Sequence, residues 1–192
     1  MPDHRRSRTF VNAATPRIGG NQRPSPGLIV SAFMEEGRAF RDTLGHLATG
    51  VCVVTALGPD GPAGLTTNAV ASLSLRPPLL VVCFDNTSRT LPVVRAAGRF
   101  AVNVLRAGQD DLARVFSSKR VAREKFEAVT HLDAHRVPVI DGALAWLACD
   151  LVDLHPAGDH TIGIGAITHM DADPEGEPLV WFRGRYGSFA AE

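Results

Sequence analysis

No apolar run in the 192 residues approaches the roughly 20 needed to cross a bilayer, so no membrane segment is expected. The arginines of Met1-Pro2-Asp3-His4-Arg5-Arg6-Ser7 are not followed by an apolar stretch, which excludes a secretory signal. Cysteine is scarce and odd in number. Cys52, Cys83 and Cys149 each sit in an apolar run and read as reduced, buried thiols of a cytoplasmic protein, without a disulfide or metal role. Familiar catalytic motifs are missing as well. There is no phosphate-binding G-x-x-x-x-G-K-[ST] loop, no H-E-x-x-H and no G-x-S-x-G, so NTPase and hydrolase chemistry have no support. Gly163-Ile164-Gly165-Ala166-Ile167-Thr168 stops short of G-x-G-x-x-G and opens no helix; a nicotinamide nucleotide would have to bind outside a Rossmann site.

What is present is an ordinary globular composition, 45% apolar and 21% charged, long enough for one domain with a substantial core. The 20 basic and 20 acidic residues cancel, but unevenly. Residues 1–34 carry Arg5, Arg6, Arg8, Arg17 and Arg23 against Asp3 alone, a net of +4. With Pro16, Pro24 and Pro26 and little apolar periodicity, this stretch is expected to be a disordered extension. A basic tail suits nucleic acid or an acidic partner, but an extension without a specific role is the better reading, and no nucleic-acid partner is expected. Met34 is a candidate start, and residues 35–192 form the expected domain.

Within that domain Phe40, Leu44 and Leu47 fall at helical spacing over 37–48. The β-branched run Val51–Leu57 follows, then a Gly-Pro-Asp-Gly-Pro turn at 58–62. Gly64–Leu75 reads as one strand with a Pro77-Pro78 stop, and Leu79–Phe84 as the next. Thr87 or Ser88 is placed to cap a helix whose first turn holds Pro92. Arg99–Leu105 alternates like a strand, 108–118 like a helix with Leu112, Val115 and Phe116 on one face. Ser117–Pro138 reads as polar and irregular. Leu144–Leu154, Thr161–Met170 and Leu179–Phe182 complete six or seven strands with few helices. That order argues for a mainly β, closed antiparallel barrel and against a doubly wound parallel sheet.

Several segments carry possible chemistry. Thr66, Thr67, Asn68, Ala69, Ser72 and Ser74 are small or hydroxyl-bearing, where a strand that merely fills a core would be larger. They leave room for a flat ligand along the backbone with polar groups at its edge; a Ser/Thr-rich edge strand facing solvent is the other reading. Ser88-Arg89-Thr90, at a helix start, offers free N–H groups and a forked cation to an anion, or simply a capped helix beside a solvated arginine. Pro156-Ala157-Gly158-Asp159 makes a turn that delivers His160 to the next strand. His131 and His135, with Asp133 between them, have the i, i+4 spacing of two helical metal ligands, but no third or fourth ligand is near, so a solvated loop is expected and no metal.

Six pieces in one order are similar to the flavin reductase-like family of FMN-binding, Greek-key split-barrel proteins. They are Ala48–Thr55, Thr66–Ser74, Arg99–Leu105, Val137–Ala145, Gly158–Gly165 and Leu179–Tyr186. The resemblance runs from about Phe40 to Phe189. It implies an NAD(P)H-dependent reductase of FMN or FAD that supplies reduced flavin to a partner monooxygenase. It assigns the flavin to Thr66, Thr67, Asn68, Ala69, Ser72, Leu73, Ser88, Arg89, Thr90, Phe116, Ser117 and Lys119, and the nicotinamide to His160, Arg185 and Tyr186. It also implies a homodimer, for which the apolar strands 144–154 and 161–167 are candidate surfaces. Hydride transfer between stacked rings needs no side-chain base, so no catalytic acid or base is named. The choices between FMN and FAD and between NADH and NADPH stay open. So do two alternatives on the same barrel: a flavoprotein with tightly held FMN acting on another acceptor, and a non-catalytic flavin- or haem-binding protein.

Overall fold

The computed structural model describes residues 37–189; the basic extension 1–34 and the Met34 start lie outside the described residues. Two compact units divide the chain, Met1–Phe40 and Arg41–Glu192. The described part of the first is helical, within α1 (37–44). The second carries every strand among the described residues: β1 (Thr49–Gly50), β2 (Cys52–Gly58), β3 (Gly61–Thr67), β4 (Val70–Leu75), β5 (Pro78–Asp85), β6 (Arg99–Val104), β7 (His131–Ala134), β8 (Val137–Ile140), β9 (Ala145–Ala157), β10 (His160–Ala172), β11 (Leu179–Phe182) and β12 (Arg185–Ser188). Three short helices complete it, α2 (Thr90–Ala97), α3 (Asp110–Ser117) and α4 (Ala122–Glu127).

The main sheet is antiparallel, in the order β3-β2-β6-β9-β10-β5-β4. Its non-consecutive neighbours, β2 with β6 and β5 with β10, give Greek-key connectivity. Two edges of this sheet, β3 and β4, are joined by Asn68 and Ala69 alone. A flat seven-stranded sheet would hold its edges about 29 Å apart, whereas a link of two residues reaches roughly 10 Å between flanking Cα atoms. The sheet must therefore curl until its edges meet. The Cys83 N–H donates to the Ala69 carbonyl at 3.0 Å, fastening the link to β5. The result is a split barrel whose seam is the Asn68–Ala69 crossing. The expected single strand Gly64–Leu75 is thus two strands on opposite edges.

Period-2 alternation with a core on each face explains why Val51–Leu57 is apolar apart from Thr55. Cys52, Val54 and Ala56 face the barrel interior with Phe84, Phe100 and Val102. Val51 and Val53 face a second core with Leu105, Phe116, Phe126, Ile140 and Leu179. Gly163 and Gly165 on β10 make space inside the barrel: a Cβ at Gly163 would lie 2.7 Å from the Phe84 ring, and one at Gly165 2.5 Å from Phe100. The two rings meet edge to face at 6.2 Å. The glycines that resemble a nucleotide loop in sequence are packing residues.

Ser117–Pro138 is more ordered than expected. It holds α4 and the hairpin β7–β8, whose turn residues His135 and Arg136 take φ of 52° and 65°. Positive φ at both positions marks a hairpin turn usually filled by Asn-Gly, so His-Arg gave no signal. His131 lies on β7, edge-on to Phe126, and His135 in the turn, stacked on Trp146 and His169; the helical i, i+4 spacing does not apply. Among the described residues no group of three or more His, Cys, Asp or Glu could hold a metal ion. The last segment adds β12, which pairs with β11 beside β1.

Candidate functional site

A cleft of about 600 Å³ opens at the seam. One wall is the end of β3, the Asn68–Ala69 crossing and the half-buried Cys83 of β5. The loop 87–90 and the start of α2 form a second side, the end of α3 with Ser117–Arg120 a third, and α4 a fourth. His160, at the head of β10, closes one end. Thr66, Thr67, Asn68, Ala69, Ser88, Arg89, Thr90, Phe116, Ser117, Lys119 and His160, singled out along more than ninety residues of sequence, all line this one space.

Many polar groups here already have partners. Thr66 Oγ1 donates to the Ala113 carbonyl at 2.7 Å, Thr67 Oγ1 accepts the Ala69 N–H, and Asn68 Nδ2 donates to Thr49 Oγ1. The hydroxyl-rich stretch therefore builds the seam with its side chains, leaving small residues and backbone to face the opening. Thr87 does not cap α2; its N–H and hydroxyl both donate to Asp85 at 2.7 Å. Those bonds, helped by His160, hold the Asp85 carboxyl below the usual carboxylate range. Ser88 accepts the Thr90 N–H at 3.1 Å. Arg89 occupies the N-cap position without a side-chain cap bond, so the start of α2 stays receptive to an anion. Asn86 ties down the β9–β10 turn, donating to the Gly158 carbonyl and accepting from Thr161. His160 Nδ1 lies 2.7 Å from Asp159 Oδ1, which fixes the ring at the cleft's end.

The sequence reading missed Lys125. It stands in α4, within the stretch read as irregular, yet it is 8% exposed and lines the cleft. Burial, then Arg89, pushes its pKa below the ordinary lysine value. Nothing in Ala122-Arg123-Glu124-Lys125-Phe126 distinguishes it from a solvated helical lysine before the chain is folded. With Arg89, Lys119 and Arg120 it makes the cleft strongly cationic, against Asp85 as the acidic lining residue.

Four expected residues lie elsewhere. Ser72 faces an apolar groove of about 500 Å³ with Val70, Leu80 and Met170, and Leu73 is half exposed and outside the cleft lining. Beyond the seam, β4 is on the other edge and carries a bulge between Ser72 and Ser74, so its side chains leave the cleft. Arg185 and Tyr186 line a separate pocket of about 500 Å³. There Tyr186 packs on Trp181 at 4.8 Å beneath the Arg114 guanidinium.

Residues 44–190 match the flavin reductase like domain. The chain belongs to this family. A flavin reductase of Pseudomonas putida is 40% identical over 154 residues, covering 79% of this chain and 89% of that protein. An FMN reductase (NADH) of Agrobacterium fabrum is 39% identical over 158 residues, covering 82% and 89%. Among solved structures, a homologue of nitrilotriacetate monooxygenase component B from Mycobacterium thermoresistibile superposes with a TM-score of 0.78 at 33% identity, covering 82% of this chain and 89% of its own. An NADH:FAD oxidoreductase of Streptomyces globisporus, solved with NAD and FAD fragments, gives 0.76 at 35% identity, covering 81% and 94%. The seam cleft sets backbone and small residues along one wall and cations along the others.

Proposed function

We propose that this chain is an NADH-dependent flavin reductase that releases reduced flavin to a partner monooxygenase. The observation that carries the reading is the seam cleft, with a small-residue wall facing an arc of four cations, in a chain whose relatives are flavin reductases. Bound flavin would supply a ring that accepts hydride, and the nicotinamide the hydride itself. The protein's share is placement. Thr67, Asn68 and Ala69 would present backbone to the ring, Ser88, Arg89 and Thr90 the helix start to the phosphate, and Phe116, Ser117 and Lys119 the opposite wall. His160, held by Asp159, would orient the nicotinamide at the end of the cleft that it lines. Ser72 and Leu73 have no part in this arrangement.

A homodimer is part of the proposal, in which Arg185 and Tyr186, lining a separate pocket of their own chain, would be presented to the cleft of the second copy. The apolar groove beside Ser72, rimmed by the exposed Leu75 and Met170, is the face we assign to that copy. The three free cysteines and the use of NADH suit the cytoplasm.

Loss of nicotinamide absorbance in air, with FMN, with FAD and without added flavin, tests the reading. Turnover is expected only when flavin is added, and NADH is expected to outperform NADPH. Turnover without added flavin would make the flavin a tightly held group instead. No turnover with either nucleotide would leave a binding protein and overturn the proposal.

A further inference from the structure

Lys125 has the surroundings of a group waiting for a counter-ion. Its Nζ donates to the Phe116 carbonyl at 2.9 Å, at the end of α3, and reaches the Gly64 carbonyl of β3 at 3.5 Å. An ammonium has three donors, so one remains. No carboxylate pairs with it among the described residues, and its charged neighbour is Arg89, another cation. A buried charge is costly unless paired, and here burial and repulsion act together. Both would be relieved by an anion in the cleft between Lys125 and the start of α2, whose N-cap residue Arg89 makes no side-chain cap bond.

We propose that Lys125 is the buried cation that binds the terminal phosphate of the flavin nucleotide, facing Arg89 across it. The inference rests on the flavin reading above and assigns a role to a residue outside the recognised motif pieces. A charge-assisted hydrogen bond inside a cleft is stronger than a neutral one, and a phosphomonoester near neutral pH is close to a dianion. Arg89 and Lys125 together match that charge. Lys119 and Arg120 line the rim, and Cys83, Asp85 and His160 are the other titratable groups of the cleft.

The alternative is that Lys125 merely ties the end of α3 to β3. Riboflavin, which has the ring but no phosphate, separates the two roles. Dissociation constants for FMN and riboflavin would be read from flavin fluorescence quenching with wild-type protein and with Lys125→Met. Lys125→Met is expected to weaken FMN roughly ten- to hundredfold and to leave riboflavin within about twofold. Equal losses for both ligands, or no loss of FMN, would overturn the proposal in favour of the tether. A second measurement needs no variant. In wild-type protein above pH 7 the preference for FMN over riboflavin should fall as pH rises, beginning below the ordinary lysine value of 10.5 because burial and Arg89 favour the neutral amine. A preference flat up to pH 10.5 would also overturn it. If wild-type protein binds neither flavin, the flavin reading itself fails and takes this inference with it; if it binds both equally, only the role of Lys125 fails.

Discussion

Replacing Asn103 by alanine is expected to cost about 3–4 kcal/mol of stability, lowering the melting temperature by roughly 6–16 °C for a chain of this size. Asn103 is fully buried on β6, and its side chain bonds to two other strands. Nδ2 donates to the Val53 carbonyl at 3.0 Å and to Thr55 Oγ1 at 3.1 Å on β2. Oδ1 accepts the Ile140 N–H at 2.8 Å on β8. Thr55 in turn donates to the Pro138 carbonyl. The β7–β8 hairpin is thus held to the barrel wall by a small polar network inside an apolar core. Alanine would leave a buried N–H and a buried carbonyl without these partners and open a cavity, each unfavourable in the same direction. Thermal or urea unfolding checks the expectation. A loss below about 1 kcal/mol, within the range of ordinary surface changes, would show that the hairpin is held by its apolar contacts alone.

Asn103 also shows where the sequence is legible and where it stops being so. Arg99–Leu105 reads as a strand because its apolar residues alternate, and β6 is there. An asparagine in the middle gives no hint that it bridges to β8, because that partner lies 37 residues away. The same limit split the Gly64–Leu75 run. Apart from Asn68, which also suits a turn, the residues from Leu65 to Leu75 fit an extended run, and no proline or glycine punctuates Thr67-Asn68-Ala69-Val70. The break is imposed by barrel closure, a property of the whole sheet.

Candidate residues were legible where a local pattern accompanied them, as with Ser88-Arg89-Thr90 at a helix start and His160 after a glycine turn. The resemblance assigns Ser72 and Leu73 to the flavin together with Thr66–Ala69, but the seam carries them past the cleft. Arg185 and Tyr186 sit on β12, against Trp181 and Arg114, on a different pocket. Lys125 needed the fold: only when α4 packs on β3 and the end of α3 does a lysine in a polar stretch become a buried cation.

The same steric change on two faces of the barrel should separate core from cleft. A Cβ at Gly165 would lie 2.5 Å from Phe100 Cζ and 2.9 Å from Cys149 Cβ, inside the barrel. A Cβ at Gly64 would lie 2.7 Å from Phe116 Cε1, beside the cleft. Neither glycine needs a positive φ; each is needed because an aromatic ring occupies the place of a side chain. Overpacking of this kind costs roughly 1–3 kcal/mol, so Gly165→Ala and Gly64→Ala should both lower the melting temperature, by about 2–12 °C. Their effects on ligand should differ. Phe116 packs edge to face with Phe126 at 5.0 Å, and Phe126 follows Lys125 in α4. Pushing Phe116 away from β3 therefore shifts the wall of the cleft and the carbonyls that hold Lys125. Gly64→Ala is expected to weaken FMN and riboflavin alike, by about tenfold or more, the equivalent of about 1.4 kcal/mol, whereas folded Gly165→Ala should bind both as wild type does. That common loss differs from the phosphate-selective loss expected of Lys125→Met, so the three variants together separate barrel, wall and cation. Unchanged flavin binding by Gly64→Ala would mean that Phe116 relaxes without moving the wall. An equal loss in Gly165→Ala would mean that strain inside the barrel reaches the seam through β10 and β5.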